Sequence, residues 1–394
     1  MRRPSEVRPG VRRSVPAGVL LPLVIFWSTL DRSLILPLVP AIARDLDVSV
    51  ALAASAITSH AVAYAVLQLL WGPLSTRWGR IPVLVLTTAL AALACGASAL
   101  AGDITTFLVA RTVSGGAFAA TFAAVLTYFG DTLPLPARPA VMSNLATATA
   151  LGLAGGTLIS GAVVGLVGWR GVFGVFAVVT ALFVPVLATL REPPRADTGA
   201  LRTQVVTLLR SRWSLAICLL TLVEGMLLIG VFNVLPLAVQ TAGGDAFVAG
   251  AVTAAFGVAV VVVSQVMKFG VGRVPPWVFL GGGGALALAA MVVLAVEVSP
   301  ATVLAAATLM GSGWALAHTT LQTWMTDAAS ASRALGMTLF SISLMMGGAI
   351  GSAIGTAAVT TGTFGGLFGF SAVLAGAFGL AAVALRRRYR EREA

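Results

Sequence analysis

Charge is scarce in this sequence: of 394 residues, 10% are Asp, Glu, Lys or Arg. A soluble domain carries about a quarter, so a solvated globular surface is excluded. There is one lysine, Lys268, and the pattern Gly-x-x-x-x-Gly-Lys-Ser/Thr does not occur, which argues against ATP-driven work by this chain alone. The two cysteines, Cys95 and Cys218, lie in apolar stretches and read as small buried hydrophobes, not as a disulfide framework. Two distant histidines, His60 and His318, with no carboxylate cluster give no metal site. No nucleophile stands beside a base, so the chain is not read as an enzyme, and no cofactor is expected.

What is abundant is apolar surface: 58% of the residues are hydrophobic, with a mean hydropathy of +0.98. A bilayer core of roughly 30 Å takes about 20 apolar residues per helix, and the chain has room for about twelve such crossings. Apolar runs between breakers fall near 17–39, 51–71, 82–101, 104–128, 140–167 and 171–190. A second set follows near 213–238, 248–269, 277–297, 301–326, 334–357 and 365–385. The run after the basic N-terminal residues is longer than a signal-peptide core and is interrupted by Asp31-Arg32, so it reads as a retained first helix.

The division expected is a basic tail (1–16), a six-helix bundle (17–190), a polar linker (191–212), a second bundle (213–385) and a basic tail (386–394). Arg44 and Arg170 fall on one side of this arrangement and Arg32 and Arg111 inside helices. All other Lys and Arg residues lie in the tails, the linker and alternate loops. The positive-inside rule then predicts a multi-pass protein of a bacterial-type inner membrane with both termini cytoplasmic. It also explains the net charge of +11 without nucleic acid. Membrane lipid and a small-molecule substrate are the partners expected, and the chain is read as a monomer.

The two halves resemble each other. Gly79-Arg80-Ile81-Pro82 recurs as Gly272-Arg273-Val274-Pro275, and Gly115–Asp131 matches Gly311–Asp327 in length. Gly152 and Gly155 correspond in the same way to Gly348 and Gly351. Near-constant offsets predict a duplicated six-helix unit.

The segment Gly72-Pro73-Leu74-Ser75-Thr76-Arg77-Trp78-Gly79-Arg80 resembles the loop between helices 2 and 3 of the major facilitator superfamily. There the pattern is Gly, three residues, Asp, Arg, any residue, Gly, Arg. Gly72, Arg77, Gly79 and Arg80 match; Thr76 stands in place of Asp, and Gly272-Arg273 is similar to a degenerate second copy. The resemblance implies the major facilitator fold, an all-α membrane protein of twelve transmembrane helices in two pseudo-symmetric six-helix bundles. In that fold this loop acts in the conformational switch. Its arginines can meet helix C-termini or carboxylates across the bundle seam.

Arg111, four residues before Gly115, resembles the Arg-x-x-x-Gly of helix 4 that the superfamily associates with proton-coupled transport. A membrane-embedded cation faces a partner or a cavity, and the alternative to a transport role is a structural ion pair. Counted from the outer helix ends, Asp31 lies about 12 Å deep, Arg111 about 10 Å and His60 about 13 Å. A carboxylate at such a place answers to desolvation and to a neighbouring Arg, so substrate entry could shift the balance and release a proton. Leu30-Asp31-Arg32-Ser33 is similar to helix 1 of drug:proton antiporters, where an acid occupies this place. Neutralisation of Asp31 by Arg32 is the rival reading.

In the second half Glu224 falls about 16 Å from the inner end, suited to a proton, a cationic group or a structural pairing with Asn233 or a helix-bundle hydroxyl. Arg32, Tyr64, Asn233, Trp314, His318 and Gln322 are the candidates for a shared cavity, with packing the alternative for Trp314 and a helix contact for His60. Small residues at Gly152, Gly156 and Ser160, and at Gly347, Gly351 and Gly355, form stripes that allow close helix approach. Gly156-Thr157 stands where antiporters of the superfamily carry Gly-Pro. The function expected is secondary transport, with proton-coupled export of a small, largely apolar compound driven by the proton gradient. The alternatives are a proton-coupled importer of a sugar or other metabolite on the same fold, and a non-transporting membrane receptor.

Overall fold

Long apolar segments bounded by caps and tight turns make the chain a stack of helices. The computed structural model describes residues 17–133, 138–193, 208, 211–330 and 333–390. We number the crossings α1 (Ala17–Asp45), α2 (Val50–Trp78), α3 (Arg80–Leu100), α4 (Ile104–Thr132), α5 (138–167) and α6 (169–187). The second half follows with α7 (Arg212–Thr241), α8 (Ala246–Gly270), α9 (Pro276–Val296), α10 (Pro300–Ala328), α11 (Arg333–Thr360) and α12 (Phe364–Arg390).

Arg138–Leu187 is continuous in its hydrogen bonding but breaks at Gly168, where φ is 66°. Its 50 residues would span about 75 Å as one rod, far beyond the roughly 30 Å core. The break therefore makes two crossings, and twelve in all among the described residues. Several helices outrun the spans expected from hydropathy: α2 continues to Trp78 and α12 to Arg390. Polar helix ends past the last apolar turn carry no hydropathy signal. Most of the 191–212 linker lies outside the described residues.

Side-chain caps begin the helices. Ser49, Asp103, Asp245 and Ser299 accept from the backbone N–H three residues on, at the starts of α2, α4, α8 and α10. At the end of the molecule where α1 begins and α12 finishes (the tail side), Gly79 has φ 108° and Gly272 φ 81°. This is left-handed backbone that a side chain resists.

The repeat is visible in the helix crossings. In the first half Gly152 and Gly156 of α5 lie against the carbonyls of Phe26 and Leu30 in α1. In the second half Gly347 and Gly351 of α11 lie against Leu222 and Met226 in α7. Gly115 of α4 meets the His60 carbonyl of α2, as Gly311 of α10 meets that of Phe256 in α8. A Cβ at any of these would overlap backbone, so the small-residue stripes hold each bundle together internally. Ser160 is buried and bonds the Gly156 carbonyl at 2.6 Å, and Gly355 packs on Val234.

The seam between the bundles is made by α5 with α8 and by α2 with α11. Gly161 meets Ala246, Gly250 meets Thr157, and Gly257 meets Ala150. Ser341 donates to Gln68 Oε1 at 3.0 Å, and Gln240 donates to the Pro37 carbonyl at 3.1 Å. Counted along the helices, the Gln68–Ser341 bond lies in the half nearer the tails and the Gln240–Pro37 bond near the opposite end.

Candidate functional site

Inside the first bundle α1, α2, α3 and α4 bring their few polar side chains to one point. Asp31 and Arg111 are both wholly buried. Arg111 grips the carboxylate in bidentate fashion, Nη1 donating to Oδ1 and Nη2 to Oδ2, each at 2.9 Å. Nη2 also reaches the Asp31 carbonyl at 3.3 Å. Ser114, three residues beyond Arg111 on the same face of α4, donates to Oδ2 at 2.9 Å, and the Cys95 thiol donates to Oδ1 at 3.5 Å. The Phe173 ring lies 5.0 Å below the guanidinium. Two buried charges are tolerable because each is met by the other and the carboxylate oxygens accept further bonds, with Arg111 Nε alone of these groups left without a partner.

His60 completes the cluster. Its Nδ1 stands 3.2 Å from Arg111 Nη2 and 3.8 Å from Asp31 Oδ2. A guanidinium only donates, so Nδ1 accepts there as one of three acceptors sharing the two Nη2 hydrogens, an arrangement that suits the tautomer with its proton at Nε2. Protonation of Nδ1 would require Arg111 to release it. Three of the residues singled out from sequence thus meet at one depth. Cys95 and Ser114 were not foreseen: Ser114 was legible as one turn from Arg111, whereas the thiol carried no signal beyond its apolar setting.

Arg32 does not neutralise Asp31. One residue along α1 it turns to the seam, and Nη1 points to the Met345 thioether of α11 at 3.2 Å. Tyr64 of α2 lies within electrostatic reach of it.

The second bundle holds a different arrangement. Glu224 is wholly buried at the end of the first part of α7, just before a π-helical stretch over Gly225–Gly230. His318 of α10 meets its Oε2 at 3.3 Å, while Oε1 has no hydrogen-bond partner. The imidazole stacks on Trp314, ring centres 4.1 Å apart and planes at 15°, and Phe340 of α11 stands 5.2 Å away. Gln322, half-buried, lies one turn further along α10. Asn233 is not Glu224's partner; it donates to Ser352 of α11 at 2.9 Å.

On the tail side, Arg80 is almost wholly buried and its Nη2 meets Asp131 at 2.7 Å. Glu192 accepts from the Arg80 and Ile81 backbone N–H groups at 2.7 Å each, capping α3. The carboxylates met by this loop therefore belong to its own bundle, not to the far side of the seam. Asp131 comes from the end of α4 and Glu192 from the first residues of the linker after α6, which no local pattern ties to the loop. Gly72 lies half-buried within α2, Arg77 is exposed, and the Thr76 side chain lies outside what is described. In the second copy Gly272 keeps the turn, and the Arg273 guanidinium donates to the Phe269 carbonyl near the end of α8.

A duplicated twelve-helix membrane fold, with an ion pair sealed in one half and a half-satisfied acid in the other, defines a class. Residues 22–334 match the model of the Major Facilitator Superfamily. The chain belongs to that superfamily. It is 34% identical over 189 residues to the multidrug resistance protein MdtM of Salmonella typhimurium, covering 47% of this chain and 45% of that one. Over 190 residues it is 31% identical to MdtM of Escherichia coli K12, with the same coverage. The chain thus spans about half the length of the relatives it matches. Its fold is that of a bacterial homologue of the human lysosomal transporter Spinster, crystallised inward-facing and unoccupied. The TM-score is 0.75 at 15% identity, over 94% of this chain and 97% of the other.

Proposed function

We propose that this protein is a secondary transporter that exports a small, largely apolar compound in exchange for protons. The observation that carries the reading is the Asp31–Arg111–His60 cluster, with every oxygen of the carboxylate engaged inside an apolar bundle. An intramembrane ionisable cluster is costly and marks a proton or ion path by default. Asp31 is the proton carrier, Arg111 holds its charge while the proton is absent, and His60 stands ready when the guanidinium shifts.

Alternating access follows from the architecture: bundles held internally by glycine crossings rock about the α5–α8 and α2–α11 seams, carrying a site near mid-depth. The tails and the linker face the cytoplasm, as their basic residues favour. Export is supported by the multidrug relatives, whose names concern drug resistance.

Accumulation of lipophilic probes in inverted membrane vesicles tests the coupling. It is expected to collapse when the proton gradient is dissipated; accumulation that survives would overturn the proposal. Uptake into intact cells, instead of extrusion, would favour the importer.

A further inference from the structure

Among the described residues, Arg32 is the intramembrane cation that the first bundle leaves without a counter-ion. Both oxygens of the neighbouring Asp31 are taken by Arg111, Ser114 and Cys95. The ion pairs among the described residues do not include Arg32. Its Nη1 ends at an uncharged, weakly accepting thioether 3.2 Å away, and its Nε is buried with no partner. A guanidinium kept at mid-membrane without an anion is destabilising, and such residues persist where a ligand meets them.

The place suits a ligand. Arg32 is partly buried where α1 faces α11, with Tyr64 of α2 within electrostatic reach. A planar fork of donors matches a planar oxyanion, to which the phenol can add another donor. Met345 offers soft apolar contact, and Phe340, a little over one turn away on α11, leads to the stacked His318–Trp314 pair. A carboxylate on an aromatic body matches the chemistry of these groups.

We propose that Arg32 receives the anionic group of the transported compound, so that the protein binds aromatic carboxylates in preference to neutral or cationic analogues. This rests on the transport reading for its purpose, but binding alone tests it. Purified wild-type protein in detergent, with no gradient, is titrated with naphthalene-2-carboxylate, its primary amide and 2-naphthylmethylamine, following tryptophan fluorescence and thermal stabilisation. The carboxylate should bind at least about tenfold more tightly than the other two, the scale of a charge-assisted hydrogen bond.

R32Q should remove that preference while leaving the amide unchanged, and R32K should keep part of it. M345E, which supplies an internal carboxylate, should block the anion in the same way. Because the free charge is a burden when no ligand is bound, R32Q without ligand should melt no lower than wild type. Equal binding of the three compounds, carboxylate affinity unchanged in R32Q, or a lower melting temperature for R32Q would each overturn the proposal. Binding as described with no transport in proteoliposomes would overturn the transport reading and leave this one standing.

Discussion

The two bundles share a backbone plan and differ in how they treat a buried acid. At equivalent crossings, Gly115 on His60 and Gly311 on Phe256, the second half places a phenylalanine where the first places an imidazole. Asp31 is matched at every oxygen, by a bidentate arginine, a hydroxyl and a thiol. Glu224 has one histidine and one empty oxygen. Duplication supplies the frame, and asymmetry in the side chains supplies the chemistry. A sealed pair holds charge until something displaces it, whereas a half-satisfied acid has room for another donor.

Substitutions that break this contrast should rank as follows. D31N leaves Arg111 buried without an anion, so it should cost about 3–5 kcal/mol of stability and abolish gradient-driven transport. Thermal unfolding in detergent and proteoliposome flux check the two parts. G115A and G311A should each cost about 1–3 kcal/mol, because an added Cβ overlaps a backbone carbonyl in either half. Unequal melting shifts between them would show that the crossings are not equivalent.

E192Q weakens the charged cap on α3 while keeping the shape, for about 0.5–1 kcal/mol. A melting-temperature comparison with wild type measures it. E224Q replaces a buried acid that lacks a full set of partners, so stability should be unchanged or slightly higher, opposite in sign to D31N. Differential scanning of the two variants side by side gives that sign.

Much of this was legible in the sequence because depth along a helix is simple arithmetic. Apolar run lengths predicted the crossings, and the spacing of Asp31, His60 and Arg111 from helix ends predicted that they share a level. Recurrent glycines predicted the repeat, which the crossings of α5 on α1 and of α11 on α7 display.

Rotation about a helix axis is less readable. Whether Arg32 faces Asp31 or the seam depends on how α1 sits against α11, and a single apolar helix carries little amphipathic signal to fix that. Partners contributed by segments distant in sequence were also hidden, as with Asp131 and Glu192 around Arg80. The seam glycines Gly250 and Gly257 were overlooked because in an apolar, glycine-rich span they resemble any other packing position.

The most direct test of where coupling resides is pH-gradient-driven transport by purified protein in proteoliposomes, comparing wild type, D31N and E224Q with one substrate. D31N should lose the response to the gradient while retaining substrate exchange without it, and E224Q should keep the response. An E224Q protein that is uncoupled beside a D31N protein that is not would contradict the assignment of the proton to the first bundle.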